Sequence, residues 1–152
     1  MAERPPLLSL DEALERLVAT AQGRRIAVAE EVSTWDALGR VLAADVASAI
    51  DVPPADNSSM DGYALRAADV SAPGALLPVA QRIAAGAVGA PLASGAAARI
   101  FTGAPVPPGA DAIVMQEQCE AVAGAGLGAV RVLEVPQPGS WIRRRGEDVA
   151  RG

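Results

Sequence analysis

The order of apolar and polar residues predicts one N-terminal helix. After Ser9, leucine, valine and alanine recur at the three- and four-residue spacing of an amphipathic helix. Ser9 followed by Glu12 is typical of a capping box at a helix start, and Gly23 is typical of a helix stop. The sequence therefore predicts a helix between Ser9 and Gly23.

Beyond this helix, the pattern changes in two steps. A short strand is predicted near Ala27–Val32, followed by a short helix that Thr34 caps and that ends at Gly39. From Ile50 to about residue 140, short apolar runs between frequent glycines and prolines favour β-structure. The predicted strands are 62–66, 76–83, 98–102, 111–117 and 129–135.

The segment 53–60 is predicted to be an ordered loop, because prolines stiffen its start and turn-forming polar residues follow. Asp61 would lie where this loop enters a strand, beside Gly62. A carboxylate at such a position suits a hard cation or a ligand that carries phosphate. The alternative is a capped surface loop whose polar side chains only satisfy backbone N–H groups, and the residues alone favour it.

A second candidate lies at Thr102-Gly103, where a predicted strand ends and a stiff, proline-rich turn follows. Gly103 would leave the Thr102 hydroxyl and N–H free to bind a phosphate, an oxyanion or a cation. Thr102 could equally cap the turn, and the residues alone do not separate these two interpretations.

Two charged features have ordinary explanations. Glu117, at the predicted exit of a strand, is expected to be a solvated acid. Arg143–Arg145 with Glu147 and Asp148 could form an anion clamp, but a mutually paired surface cluster is favoured.

Composition excludes several classes of function. The formal net charge of −5 argues against a nucleic-acid or anionic-membrane binder, which needs a basic surface. One cysteine and no histidine exclude an intramolecular disulfide, a Ser-His-Asp triad and a nitrogen/sulfur metal site, so any metal must be held by oxygen. Only 3% of residues are aromatic, so the core is expected to consist of Leu, Val, Ile and Ala. No leader peptide and no apolar run of transmembrane length is present, which predicts a cytoplasmic protein that does not bind a membrane.

Three motifs occur in order along the chain: D-N-S-S-M-D-G-Y-A at 56–64, R-I-F-T-G-A-P-V-P-P-G-A-D-A-I-V-M-Q-E at 99–117 and I-R-R-R-G-E-D at 142–148. Together they resemble the N-terminal region of the molybdopterin molybdenumtransferase family, the MoeA-type proteins related to the E domain of gephyrin. The resemblance extends over nearly the whole chain. Ala55 and Ser59 depart from it, since members of the family often have Phe and Ala at these positions.

The resemblance implies a reaction in which molybdate is inserted into adenylylated molybdopterin and AMP is released with the help of Mg²⁺. It places the family's functional aspartate on Asp61, which would also bind the metal, and its functional threonine on Thr102. It reverses the preference for a capped loop at Asp61 and favours a functional Thr102. The further residues it suggests are Asp148 as a weaker catalytic candidate, and Asn57, Ser58, Gly62 and Gly103 as ligand-binding positions.

The resemblance also implies an α+β fold. An N-terminal helical segment and a returning C-terminal strand would flank an inserted, mainly β module at 48–140. The two flanks, 1–47 and 141–152, would belong to one dimerisation domain, with a homodimer in the full-length form. The family's pterin-binding and C-terminal β domains would follow Gly152, so this chain is expected to hold part of a site and to have negligible activity alone. Two other interpretations stay open: a non-catalytic dimerisation or scaffold module derived from the family, and a general β-rich binder of nucleotide phosphates.

Overall fold

The computed structural model describes residues 7–22, 24, 26 and 28–152. The chain divides into two compact units, Met1–Val46 and Ala47–Gly152. Among these residues, one α-helix lies in the first unit and eight β-strands lie in the second, which confirms the predicted α+β class.

Helix α1 (Leu10–Gln22) starts as the capping pattern predicts. Ser9 N and Ser9 Oγ each donate to Glu12 Oε2 at 2.9 Å, and Glu12 N donates to Ser9 Oγ at 3.3 Å. These bonds satisfy backbone donors that have no partner within the helix. The predicted stop at Gly23 lies outside the described residues.

The two other predictions for the first unit need correction. Residues 28–32 form no strand, and Val28 is 82% exposed, so no neighbouring strand buries this segment; Ala27 lies outside the described residues. The short helix is a 3₁₀ turn, Thr34–Asp36, which ends before Leu38. Its cap is Ser33, whose hydroxyl accepts from Trp35 N at 3.3 Å, because the hydroxyl that precedes the turn is the one that reaches its free N–H groups.

The second unit contains a six-stranded sheet and a two-stranded sheet. The strands are β1 (Asn57–Ser58), β2 (Gly62–Leu65), β3 (Ala75–Ile83), β4 (Ala97–Ile100), β5 (Ala112–Met115), β6 (Cys119–Val122), β7 (Ala129–Val132) and β8 (Ile142–Arg143). Five of them, β2, β3, β4, β5 and β7, lie where strands are predicted, within a few residues at their ends. The predicted strand 111–117 stops at Met115 because Gln116–Gln118 forms a 3₁₀ turn that leads into β6.

The six-stranded sheet has the order β5-β2-β4-β3-β7-β6. Strand β2 pairs antiparallel with both β4 and β5, and β3 pairs parallel with β4 and antiparallel with β7. Because β2 and β4 run in opposite directions, the start of β2 lies beside the end of β4.

Two apolar clusters form the core. One contains Leu65, Val130 and Val132, and the other contains Ile83, Ile100 and Ile113. Tyr63 and Leu65 belong to the first cluster and Ala64 to the second, so successive residues of β2 belong to different clusters, as the alternation of side chains along a strand requires. The core consists almost wholly of aliphatic residues, as the composition predicts.

The small sheet joins the start and the end of the second unit. Strand β1 pairs antiparallel with β8, and Val52 forms an isolated bridge with Val149. Residues 141–152 therefore lie against residues 48–60, and the segment predicted as an ordered loop contains β1. The predicted place of 141–152 in a dimerisation domain stays a prediction. In the part of the chain that the structure describes, every helix is too short or too polar to cross a membrane.

Candidate functional site

Asp61 and Thr102 are in direct contact, although they are 41 positions apart in the sequence. Asp61 ends the loop before β2, and Thr102 follows β4. Gly62 and Ile100 are partners in the antiparallel ladder, which brings these two strand ends together. Asp61 Oδ1 accepts from Thr102 N at 2.8 Å and from Thr102 Oγ1 at 2.7 Å.

These two hydrogen bonds stabilise the ionised form of Asp61. The backbone N–H of Thr102 lowers the pKa of the Asp61 carboxyl most, its hydroxyl lowers it further, and the nearby Arg99 adds a smaller effect. Both bonds end on Oδ1, and Oδ2 accepts none from the residues that the structure describes. Asp61 therefore presents one carboxylate oxygen that can bind a cation or a donor group.

The contact with Asp61 corrects one detail of the prediction for Thr102. The sequence suggests that its hydroxyl and N–H are both free for a ligand, but both donate to Asp61. A hydroxyl also has acceptor lone pairs, so Thr102 Oγ1 can still accept a hydrogen bond or bind a cation. The side chain is exposed, and a ligand can reach it.

Gly62 is explained by packing. A Cβ atom at this position would lie 2.0 Å from Val114 O of the neighbouring strand β5, so only glycine fits. Its carbonyl accepts from Arg99 Nη1 at 3.0 Å. The predicted contact between Gly62 and a ligand stays a prediction.

Gly103, Ser58 and Asn57 hold the strand ends next to the Asp61–Thr102 pair. Gly103 has φ 79°, a left-handed conformation that glycine adopts without strain, and its N–H donates to Ser58 O at 2.8 Å. Ser58 is 1% exposed and its hydroxyl donates to Met60 O, so this hydroxyl stabilises the loop and its position gives no support to a ligand contact. Asn57 pairs with Arg143 across the small sheet and forms a bridge with Pro105.

Asp148 makes no hydrogen bond to Asp61 or Thr102 in the structure. Its carboxylate accepts from Arg143 Nη2, and its N–H donates to Val52 O at 2.9 Å. The predicted catalytic role of Asp148 stays a prediction.

All three arginine side chains of the cluster are paired with acids, as the favoured interpretation expects, but only Arg143 pairs within the cluster. Arg143 pairs with Glu147 and Asp148. Arg144 and Arg145 pair with more distant acids that the sequence did not single out, Asp56 and Asp51 respectively. An open anion clamp would need these guanidinium groups free.

The two distant acids also accept backbone hydrogen bonds, which are the largest cause of their lowered pKa values. Asp51 accepts from Arg151 N at 2.9 Å, and Asp56 accepts from Arg145 N at 2.8 Å. The paired arginine side chains lower the pKa of both carboxyls further.

Residues 8–152 match the family defined as the MoeA N-terminal region (domain I and II). The chain belongs to this family. The match confirms the resemblance that the three motifs indicate, including its restriction to the N-terminal region of larger proteins.

Similar proteins agree with this assignment. The chain is 38% identical to a molybdopterin molybdenumtransferase from Haemophilus influenzae over 96% of this chain and 35% of that protein. It is 46% identical to molybdopterin molybdenumtransferase 2 from Mycobacterium tuberculosis over 80% of this chain and 30% of that protein. The crystal structure of a molybdopterin biosynthesis MoeA protein from Pyrococcus horikoshii matches with a TM-score of 0.72 at 36% identity, covering 81% of this chain and 33% of that one. The chain thus spans about a third of the length of these relatives.

This MoeA N-terminal region offers few groups for a metal. The described residues contain no cluster of three or more His, Cys, Asp or Glu side chains that could hold an ion. Burial raises the pKa of the Cys119 thiol to about 11, so this thiol is neutral near pH 7. Asp61 alone fits a Mg²⁺ ion that arrives with a phosphate group, because such ions use one or two carboxylates and retain other ligands. A permanently bound ion would need several protein ligands, and Asp61 supplies only one carboxylate.

Arg99 and Gln116 belong to the same region of this MoeA N-terminal chain, and sequence reasoning missed both. Arg99 begins the motif quoted at 99–117, three positions before Thr102, and Gln116 is the penultimate residue of the same motif. Arg99 Nη2 donates to Gln116 Oε1 at 2.7 Å, next to its bond with Gly62. Only the pairing of three strands shows that these side chains meet beside Asp61.

Proposed function

We propose that this chain is the N-terminal part of a molybdopterin molybdenumtransferase and acts in molybdenum cofactor biosynthesis. The reaction would be insertion of molybdate into adenylylated molybdopterin with release of AMP. The contact between Asp61 and Thr102 carries this proposal, because it joins the two residues on which the resemblance places the family's function. Family membership over residues 8–152 supports it independently.

In this proposal Asp61 acts as an ionised carboxylate at neutral pH. Thr102 holds Oδ1 through two donors, and the other oxygen is directed to the ligand. Charge-assisted bonds of this kind fix orientation as well as charge. Thr102 in turn has its hydroxyl proton committed to Asp61, so its oxygen can serve only as an acceptor or a cation ligand.

A Mg²⁺ ion bound with the adenylyl phosphate would neutralise charge that develops on that phosphate. Asp61 is the residue of this chain that would hold it, and Thr102 would keep the carboxylate oriented. The other ligands would come from the phosphate, from water and from parts of the full-length protein that this chain does not include.

Since the chain spans about a third of its relatives, we propose that it provides one side of the site and has negligible transferase activity alone. Homodimer formation in the full-length protein and a cytoplasmic location remain predictions. The alternative, a non-catalytic scaffold module, differs from this proposal in requiring that the chain dimerises and binds no ligand.

The test is a titration of the ¹⁵N-labelled 152-residue chain with AMP and Mg²⁺, followed by NMR. We expect the amide signals of Gly62, Thr102 and Gly103 to shift. Asp61→Asn is expected to weaken binding about tenfold, which corresponds to about 1.4 kcal/mol. If AMP and Mg²⁺ leave these three signals unchanged at millimolar concentration while the chain dimerises, the scaffold interpretation replaces this proposal.

Asp69→Asn is the matched control for Asp61→Asn. Asp69 also accepts one hydroxyl and one backbone N–H, from Ser94 Oγ at 3.0 Å and Gly95 N at 2.8 Å. The substitution therefore removes the same charge from the same kind of contact. Equal weakening by both substitutions would contradict a specific role for Asp61.

A further inference from the structure

Arg99 is placed to hold the backbone that carries Asp61. It lies on β4, directly opposite Tyr63 of β2. Arg99 Nη1 donates to Gly62 O at 3.0 Å, and Nη2 donates to Gln116 Oε1 at 2.7 Å. The planar guanidinium makes both bonds at once, which a lysine ammonium cannot reproduce with the same geometry.

Gln116 extends this hold to Asp61 itself. Gln116 N donates to Asp61 O at 3.0 Å. Arg99 thus bonds directly to the carbonyl of Gly62, the residue after Asp61, and is linked to the carbonyl of Asp61 through Gln116. Rotation of the Asp61 backbone would break bonds in both branches.

The same guanidinium also contacts the residue before Thr102. Arg99 Cζ lies 4.6 Å from the centroid of the Phe101 ring and 5.2 Å from that of Tyr63. Arg99 is therefore adjacent to both halves of the pair: to Gly62, which follows Asp61, and to Phe101, which precedes Thr102. Its contacts with Phe101 and Tyr63 are of the cation–π type.

We propose that Arg99 is a positioning residue that sets the distance and orientation between Asp61 and Thr102. It acts through Gly62, Gln116 and Phe101 and is not itself a catalytic residue. The positioning claim rests on these contacts alone. Its consequence for ligand binding rests on the proposed function.

Arg82 provides a matched control within the same cluster. It is the direct partner of Arg99 on the neighbouring strand β3, and its Cζ lies 4.5 Å from the centroid of the same Phe101 ring. Among the described residues Arg82 forms no hydrogen bond or ion pair through its side chain. Arg82→Gln therefore removes an equal charge from the same ring without breaking a bond to the Asp61 backbone.

The test compares Arg99→Gln, Arg99→Lys and Arg82→Gln in the 152-residue chain by NMR and amide hydrogen exchange. The Thr102 N–H, which donates to Asp61, is the reporter, and the Val130 N–H in β7 is the reference for global stability. We expect Arg99→Gln to shift the Thr102 signal and to speed its exchange about tenfold relative to Val130, as a local opening would. Arg99→Lys should give an intermediate change, and Arg82→Gln should match the original chain.

Two results would overturn the proposal. One is a Thr102 signal and exchange rate in Arg99→Gln that equal those in Arg82→Gln. The other is equal acceleration at Thr102 and Val130, which would mean that Arg99 only stabilises the sheet. If Arg99→Gln does not fold, Arg99→Lys is compared with Arg82→Gln instead. Lysine keeps the positive charge but lacks the planar guanidinium that makes both hydrogen bonds.

Binding of AMP with Mg²⁺ to the same variants separates this inference from the proposed function. If Arg99→Gln binds AMP and Mg²⁺ more weakly than Arg82→Gln does, the result supports both the positioning role of Arg99 and the proposed function. A local change at Thr102 in a chain that binds no AMP supports the positioning role and contradicts the proposed function.

Discussion

At the scale of single residues, Thr102 makes the Asp61 carboxyl more acidic. Thr102 supplies both hydrogen bonds to Asp61, and they lower the pKa of the Asp61 carboxyl. The effects of the Thr102 hydroxyl and of its backbone N–H on the pKa of Asp61 can be measured separately, because a substitution of Thr102 removes only the hydroxyl.

Thr102→Val is expected to raise the pKa of Asp61 towards the ordinary value of about 3.9. The folded-state pKa of Asp61 is lowered, so the stability gained from this contact is complete above the unfolded-state value and is lost as the pH falls through the folded-state value. The valine variant should therefore lose less of its stability on acidification. The measurement is a ¹³C NMR titration of the Asp61 carboxyl, together with acid unfolding.

Thr102→Ser is the control for this prediction, since it keeps the hydroxyl donor and should leave the pKa of Asp61 nearly unchanged. An equal pKa in the valine variant and the original chain would mean that the hydroxyl contributes nothing to the ionisation of Asp61.

The sequence predicts these two residues but not the side chains that support them. Asp61 and Thr102 lie at predicted junctions between strand and loop, where motif and pattern coincide. Arg99 lies inside a strand and Gln116 in a 3₁₀ turn, and their meeting depends on the register of β2 with β4 and β5. A linear pattern contains no information about that register.

At the scale of elements, the loop before β1 is held to the segment after β8 by side chains. Asp56 accepts from Arg144 Nη1 at 2.6 Å and from Arg145 N at 2.8 Å. Strand β1 has only two residues, so its pairing with β8 needs this support.

Asp56→Asn is expected to loosen residues 143–151, because an amide binds Arg144 and the Arg145 N–H more weakly than a carboxylate does. We expect trypsin to cleave after Arg144 and Arg145 several-fold faster, with little change in cleavage elsewhere. The measurement is mass spectrometry of the digest over time.

Glu120→Gln is the matched control, since it removes one charge from an exposed pair with Arg131 in the other sheet. Exposed pairs of this kind contribute only about 0–1 kcal/mol. Equal acceleration of cleavage at 143–151 in both variants would show that Asp56 does not hold this segment.

Strands were predictable where apolar residues recur in a buried interior, as in β2, β4 and β5. Strand β6 was missed because it lies at the edge of the sheet and none of its four residues is fully buried. Strand β1 was missed because two residues are too few to show a period. Strand β8 is equally short, and a strand near it was expected only because the family resemblance implies a returning C-terminal strand.

At the scale of the whole molecule, the buried interior lies in one of the two units. Both core clusters belong to Ala47–Gly152. None of the described residues before Ala47 is buried, and the leucine and valine side chains of α1 are exposed.

A chain containing only residues 47–152 is therefore expected to fold and to unfold cooperatively. Its melting temperature should lie within a few degrees of that of the 152-residue chain, because the shortened chain keeps every residue of both core clusters. Circular dichroism during heating provides the measurement. A non-cooperative transition, or a loss of β-structure at room temperature, would show that the first unit is needed for this fold.

The pairing of β2 with β4 also determines when in folding the site can exist. Asp61 and Thr102 are distant along the chain and meet only when β2 has paired with β4 across the intervening segment. Contacts between such distant segments form slowly, because a long loop must close first. Nascent or partly unfolded molecules thus lack the pair altogether, and any ligand that binds it selects the completed sheet and protects the molecule from unfolding.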